Sequence, residues 1–167
     1  MTSNPHPSPV RVLSVVVEDH PGVLFRVSGL IRRRGFNIEG LSVGPIDEKG
    51  RSRMTLTVHA GHAEVDQVQK QLDKMIEVIE VTDITDDPIL SRELVVARVT
   101  ADGERHALED QVDKYGARIL DAGPDSVIVE LTADSAKVEE FLARMHTHGI
   151  EEMARSGPVA MRRISAR

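Results

Sequence analysis

The sequence predicts an α+β fold made of two βαββαβ units in tandem. Three observations support this prediction. Several short segments alternate apolar and polar residues with a period of two, as half-buried strands do. Longer stretches between them repeat apolar residues at helical spacing. The order of these segments then starts again after about 80 residues.

The first unit is predicted over residues 10–82. Residues 10–17 are apolar almost throughout, which indicates a central strand covered on at least one face. A helix follows Pro21, whose missing N–H costs nothing in the first turn, and ends at Gly35. The remaining predicted elements of this unit are strands over 37–43, 53–59 and 78–82 and a helix from Gly61 to Ile76.

The rest of the chain is divided by composition. Residues 1–9 contain three prolines and no apolar core, and we expect a disordered tail. Residues 83–91 are acidic, contain Pro88 and lack a period, which predicts a linker. A second unit with a short tail is then predicted over residues 92–167, including a last strand at 150–154. Both units have the element order of ferredoxin-like domains.

Composition excludes several classes of protein. A net charge of −6 argues against a nucleic-acid or membrane-surface partner, and no 18-residue apolar run could span a bilayer. Cysteine is absent, so disulfides and thiolate metal sites are excluded. Aromatic residues make up 2% of the chain, too few for an RNA-binding sheet that stacks bases. We therefore expect a cytoplasmic protein.

The turn between the first strand and the first helix carries the most specific chemistry. A helix N-terminus attracts a carboxylate, and Gly22 would let a ligand approach its backbone. Asp19 could hold an ammonium group, and Asn37 offers both a donor and an acceptor on the next strand. Together these groups have the chemistry that a free α-amino acid requires. The alternative is that Asp19 only caps the helix and Gly22 only eases the turn.

The free energy needed to bind such a ligand indicates where it binds. Val23, Leu24 and Ile38 would suit an aliphatic side chain. A metabolite sensor needs a binding free energy of about −4 to −8 kcal/mol, which one exposed turn would barely reach. We therefore predict a homodimer with the ligand between two chains.

Other polar clusters favour structural explanations. The histidine pairs 59/62 and 146/148 lack a third ligand at zinc-like spacing. The acidic residues at 83, 86 and 87 are typical of a solvated linker, and the arginines at 32–34 of a charged helix end. Nucleotide-binding loops and nucleophile elbows are absent from the sequence. The sequence therefore predicts no catalytic residue and no metal site.

Five segments carry a family resemblance that covers residues 10–163. The chain resembles the regulatory small subunit of acetohydroxyacid (acetolactate) synthase, whose first unit is an ACT domain. The segments are VVEDHPGVLFRVSGLIRRRGFNIEGLSVGP, RSRMTLTV, KQLDKMIEVIEVTDI, SRELVVARV and EEMARSGPVAMRR.

This resemblance implies a subunit that is not itself an enzyme. It would activate a catalytic large subunit that carries thiamine diphosphate, Mg and FAD, and would mediate feedback inhibition by a branched-chain amino acid, usually valine. The effector would lie between ACT domains of two chains, held by Asp19, Pro21, Gly22, Val23, Leu24, Asn37 and Ile38. The alternative is a stand-alone amino-acid-sensing ACT protein that regulates a different partner.

The sequence departs from the family pattern at two places in the matched segments. Many relatives have Asn where this chain has Asp19, which keeps an acceptor and adds a charge. Gly40 stands where the family usually has Ser. The proline-rich leader is not part of the pattern.

Overall fold

A computed structural model describes residues 9–47, 50–101, 103 and 105–164. The chain divides into two compact units. The first contains residues 9–90 and 159–164, and the second is Ser91–Pro158. None of the helices formed by these described residues has the length and apolar composition needed to cross a membrane.

The first unit has the predicted βαββαβ order. Its elements are β1 (Val10–Glu18), α1 (Val23–Arg33), β2 (Ile38–Asp47), β3 (Arg51–His59), α2 (His62–Leu72) and β4 (Val78–Asp83). The strands form an antiparallel sheet in the order β2-β3-β1-β4, so β1 and β3 are central and β2 lies at an edge. The α+β prediction is confirmed.

The core of the first unit lies between the helices and one face of this sheet. Because strand residues alternate between faces, Leu13, Val15 and Val17 of β1 point to the same side. They pack with the buried stripes of α1 and α2, which include Val27 and Val65. The predicted helical spacing of apolar residues after Pro21 is confirmed at Val23, Val27, Leu30 and Ile31, which are buried, but not at Leu24, which is exposed.

The second unit repeats this architecture. Its elements are β5 (Ile89–Thr100), α3 (Arg105–Tyr115), β6 (Arg118–Ala122), β7 (Ser126–Ala133), α4 (Ser135–His148) and β8 (Ile150–Arg162). The first two residues of β5 and residues 159–162 of β8 belong to the first unit. The strand order β6-β7-β5-β8 is equivalent to that of the first sheet. In the core, the rings of Tyr115 and Phe141 meet edge to face with centroids 5.5 Å apart. The cap of α4 is Asp134, which accepts a hydrogen bond from the N–H of Lys137 at 2.9 Å.

Two local predictions in the first unit are wrong. Gly44 and Pro45 do not end the second strand, because β2 continues to Asp47. Proline lacks an N–H and is tolerated on an edge strand, which is where β2 lies. Ile76 does not extend the buried stripe of α2, since the helix ends at Leu72 and Ile76 is 92% exposed.

The predicted linker over residues 83–91 is largely ordered structure of the first unit. Ile84 is buried, and its N–H donates to the carbonyl of Val12 at 2.9 Å. Asp83 and Asp86 form ion pairs with the buried Arg11 at 2.5 and 3.1 Å. The prediction of a solvated acidic segment missed these partners, because Arg11 is 72 residues away from Asp83 in sequence.

The two ends of the chain also differ from the prediction. Residues 159–164 belong to the first unit, not to the second, and Ala160 is 3% exposed. The N–H of Arg163 donates to the carbonyl of Pro88 at 2.7 Å, within the first unit. Of the predicted disordered tail, residues 1–8 lie outside the described part, and the carbonyl of Pro9 accepts from the N–H of Ala60 at 3.2 Å.

Candidate functional site

The turn that joins β1 to α1 is tied to two neighbouring connections. The N–H of Glu18 donates to the carbonyl of Glu77 at 2.9 Å, in the segment before β4. The N–H of Asp19 donates to the carbonyl of Gly50 at 2.7 Å, in the β2–β3 hairpin. Gly22 then begins α1 with a φ of 92°, a conformation that glycine adopts at no steric cost. These bonds hold the turn in a defined position at one end of the unit.

The N-terminus of α1 is open. Its N-cap is Gly22, and within the described part of the chain no side chain accepts a hydrogen bond at this cap. The N–H of Arg26 reaches the carbonyl of Gly22, whereas the N–H groups of Leu24 and Phe25 have no backbone acceptor among the described residues. The first turn carries no acidic residue. The alternative in which Asp19 serves as the helix cap is therefore wrong, and the free N–H groups leave a partial positive charge at this end.

The predicted residues of the turn differ in their exposure. Asp19, Pro21 and Gly22 are exposed, and the side chain of Leu24 is 43% exposed. Val23 is 2% exposed and belongs to the core of the unit. A ligand at the turn would therefore meet the side chain of Leu24 and only the backbone of Val23.

Asn37 and Ile38 lie at the other end of α1, where the chain enters β2. They form one end of an open groove of about 460 Å³ on the exposed face of α1. The groove is lined by Phe25, Ser28, Gly29, Arg32, Arg33, Phe36, Asn37 and Ile38. Sequence reasoning missed Phe25 and Gly29, which lie off the apolar stripe. The signal available for them was a large apolar residue and a glycine four residues apart on the polar face of a helix.

The structure does not bring the seven predicted residues together within one chain. The 11 residues of α1 separate Gly22 from the segment that contains Asn37. At 1.5 Å of rise per residue, this helix is about 16 Å long. One amino-acid ligand cannot contact both ends. We call residues 19–24 the turn half-site, and Asn37 and Ile38 with the groove the strand half-site.

Arginines surround both half-sites. Arg26, next to the turn half-site, forms an ion pair with Glu77 at 2.7 Å. Arg32 and Arg33 line the groove, as well as marking the charged end of α1 that the sequence predicts. Arg32 and Arg33 make the strand half-site favourable for an anionic group, whereas Glu77 offsets the charge of Arg26 beside the turn half-site.

The histidines near this unit have protein partners. Nδ1 of His62 lies 2.8 Å from Nη2 of Arg11, and Nε2 of His59 lies 3.3 Å from a carboxylate oxygen of Glu39. Three or more metal-ligating side chains do not cluster anywhere within the described ranges.

Family models match both units of the chain. The model described as AHAS small subunit-like ACT domain matches residues 13–80, and the model described as small subunit of acetolactate synthase matches residues 92–164. The acetolactate synthase small subunit of Mycobacterium bovis is 45% identical over 154 residues, which cover 92% of each chain. This chain belongs to the acetolactate synthase small-subunit family.

Two further relatives show how far this family likeness extends. The acetolactate synthase small subunit of Bacillus subtilis is 37% identical over 92% of this chain and 90% of that protein. The crystal structure of the acetolactate synthase small subunit from Thermotoga maritima has a TM-score of 0.86 and 31% identity, covering 95% and 99% of the two chains. The ACT match includes all seven predicted site residues, so both half-sites belong to the ACT domain of this small subunit.

Proposed function

We propose that the chain is a non-catalytic regulatory subunit that binds a branched-chain amino acid between the ACT domains of two copies. Binding would lower the rate of a separate catalytic acetolactate synthase subunit, which the chain otherwise activates. The observation that carries this proposal is the division of the predicted site between the two ends of α1. In this proposal thiamine diphosphate, Mg and FAD belong to the catalytic subunit.

The turn half-site has the chemistry to hold the charged end of an amino acid. The N–H groups of Leu24 and Phe25 can donate to a carboxylate at the positive end of α1. Asp19, exposed beside them, can accept from the ammonium group. The strand half-site would add the amide of Asn37 and the half-buried side chain of Ile38.

A two-fold axis would bring complementary half-sites together. If the α1 helices of two copies lie side by side and antiparallel, the turn half-site of each copy faces the strand half-site of the other. The edge strand β2 lies on the same side of the unit, because Ile38 is both its first residue and part of the groove. A symmetric dimer would therefore contain two equivalent sites, each built from both chains.

The exposed face of α1 is self-complementary in shape. Phe25 is 81% exposed, and Gly29, one turn further along, leaves a gap in the groove. A Cβ added at Gly29 would meet only Nη1 of Arg33, at 3.7 Å. An axis that passes near the middle of α1 places each Phe25 over the Gly29 of the other copy. Burying a Phe side chain contributes about 1.5–3 kcal/mol, and the axis doubles this contribution.

Affinity also favours a shared site. Two charge-assisted hydrogen bonds and one buried aliphatic side chain contribute about 4.5 kcal/mol at their lower limits, while association costs at least about 4 kcal/mol. The turn half-site alone would then bind hardly at all. Hydrogen bonds to Asn37 and contacts with Ile38 would bring the net binding free energy closer to the range that a metabolite sensor needs, about −4 to −8 kcal/mol.

Valine is the first candidate for the effector, with leucine and isoleucine as alternatives. The apolar contacts available, Leu24 and Ile38, distinguish these side chains by size alone. One methylene changes binding in an apolar pocket by about 1–3 kcal/mol. Calorimetric titration with all three amino acids therefore ranks them directly.

Reconstitution with a cognate catalytic subunit tests the proposed function. We expect the chain to raise the rate of acetolactate formation and valine to lower that rate again. A coupling free energy of about 1–3 kcal/mol would be sufficient, which corresponds to about 5- to 150-fold in effector affinity. A folded chain that co-elutes with the catalytic subunit but alters neither rate nor valine sensitivity would refute the proposal. Failure to co-elute would favour a stand-alone sensor.

The proposed dimer has its own test. Gly29→Leu should fill the groove, and Phe25→Ala should remove the side chain that enters the groove of the other copy. Both variants should therefore shift the chain toward monomer in analytical ultracentrifugation. Leu120→Ala is the matched control, because Leu120 is an exposed apolar residue on β6 of the second unit. Equal dimerisation of all three variants would show that copies associate through another surface.

A further inference from the structure

A second cavity lies in the first unit, on the face of its sheet opposite the helices. It has a volume of about 260 Å³ and opens between the sheet and residues 161–162 of the same unit. Its walls are Ser14, Arg53, Glu80, Thr82, Ile84, Met161 and Arg162. The sheet residues among these alternate with the core residues Leu13, Met54 and Val81, so they point away from α1 and α2.

Two opposite charges stand across this cavity without pairing. Arg53 on β3 and Glu80 on β4 are both opposite Val16 of the central strand β1. Two strand spacings separate their backbones by about 10 Å. No ion pair joins the two side chains, although both are among the described residues of the wall. The charges are therefore close enough to hold one small molecule between them.

The guanidinium of Arg53 has an unmet hydrogen bond. Its Nε–H is buried, and none of the described residues accepts a hydrogen bond from it. Arg162, the other cation of the wall, already forms an ion pair with Asp87 at 2.6 Å. A buried N–H of a charged group is strongly unfavourable unless an acceptor binds to it. Arg53 is thus the cation of the wall that has no anionic partner among the described residues.

The remaining wall is arranged around Glu80. The hydroxyl of Thr82 donates to Oε1 of Glu80 at 3.2 Å, and Ser14 lies beside Thr82 on the neighbouring strand. Glu80 is exposed, so its carboxylate can also accept a hydrogen bond from a ligand. Ile84 and Met161 close the wall with apolar side chains. The cavity therefore combines a cation, an anion, two hydroxyls and an apolar surface.

We infer that this cavity is a second binding site, for a small α-amino acid or a zwitterion of similar size. The carboxylate would accept from Arg53, the ammonium would donate to Glu80, and a short aliphatic group would contact Met161. A volume of about 260 Å³ lies below the about 300–1,000 Å³ typical of drug-sized ligands, which favours a small molecule. The inference does not depend on the proposed effector site, which lies on α1.

Methyl NMR of the full chain tests this site directly. The methyl signals of Ile84 and Met161 should shift and saturate when L-alanine is added, in a Gly22→Asp background that disables the turn half-site. Arg53→Gln and Glu80→Gln should each weaken this binding by at least about tenfold. Arg34→Gln, an exposed arginine outside the cavity wall, is the matched control and should bind normally.

Two partial ligands identify what the site recognises. Acetate and ethylammonium each carry one charge of the zwitterion, and both should bind at least about tenfold more weakly than L-alanine. Equal binding of acetate would overturn the zwitterion assignment, and so would normal binding by Arg53→Gln. Absence of a saturable shift would show that the cavity holds only water. If Arg53→Gln fails to fold, Arg53→Lys takes its place in the test. It keeps the charge without the Nε–H, and we expect an intermediate loss of affinity for L-alanine.

Discussion

Replacing Gly22 by Asp tests the helix N-terminus as the anion site of the ACT domain. The variant should remain folded, because a Cβ at position 22 would meet only Nη1 of Arg26, at 3.8 Å. The positive φ of 92° costs about 1–2 kcal/mol for a residue other than glycine, which is smaller than a typical total stability of about 5–15 kcal/mol. Asp is also among the residues that tolerate this conformation best.

The charge should have a larger effect on the ligand than on the fold. A carboxylate about 4 Å from the ligand carboxylate costs about 4 kcal/mol at an effective dielectric constant of about 20. The neighbouring Arg26 offsets part of this repulsion, although it already forms an ion pair with Glu77. A net penalty of about 2–4 kcal/mol corresponds to a loss of about 30- to 1,000-fold in affinity.

Calorimetric titration of the Gly22→Asp dimer with valine measures this loss, with Gly22→Asn as the control. The two variants have the same size and the same backbone strain, so the difference between them reports the charge alone. We expect Gly22→Asn to bind at least about 30-fold more tightly than Gly22→Asp, as the charge penalty of at least about 2 kcal/mol requires. Equal affinities in two folded dimers would refute the reasoning that the ligand carboxylate sits at this helix end.

Three further predictions concern other contacts. Asn37 is exposed in the single chain, so its contribution depends on burial by the ligand and the second copy. Asn37→Ala should then weaken effector binding by about 1–3 kcal/mol in calorimetry, through loss of its hydrogen bond to the ligand; unchanged affinity would remove Asn37 from the site. Burial tends to raise the pKa of Asp83, but hydrogen bonds from its neighbours and from Arg11 hold it below its ordinary value. Asp83 therefore stabilises the fold above about pH 4, and this contribution is lost as pH falls through the lowered pKa. In Asp83→Asn the free energy of unfolding should decrease less steeply as pH falls below about 4, and an equally steep decrease would contradict this. In the second unit, Arg155→Met should lower the free energy of unfolding by about 3–5 kcal/mol in denaturant titration, because it leaves the buried Glu93 without its partner at 2.7 Å. Adding Glu93→Gln should recover part of this stability, and no recovery would argue against the ion pair.

Elements whose pattern reflects local packing could be predicted from the sequence. The helix after Pro21 and the strand that ends at His59 both show a clear period, because each buries one face against its own unit. The predicted ends of strands and helices are less accurate where contacts with neighbouring elements determine them. Pro45 does not interrupt β2, since an edge strand can lack an N–H on its open side.

Contacts between distant parts of the sequence could not be predicted in this way. The acidic residues after β4 look solvated in sequence, yet Asp83 pairs with Arg11 of β1. Residues 159–163 have no period of their own, yet they pack within the first unit. Both arrangements depend on strand order and on the return of the chain, and a single sequence carries no local signal for either.

For the candidate site, the sequence alone determined its chemistry. A glycine at the start of a helix, a carboxylate beside it and an amide on the next strand follow from Asp19, Gly22 and Asn37 without coordinates. Tertiary structure decided where these groups lie, because α1, about 16 Å long, separates the turn from the segment that contains Asn37. It also left the cap of α1 open and exposed Phe25 beside Gly29. Residue types determine which groups can recognise an amino acid, but only folding determines the distances between them.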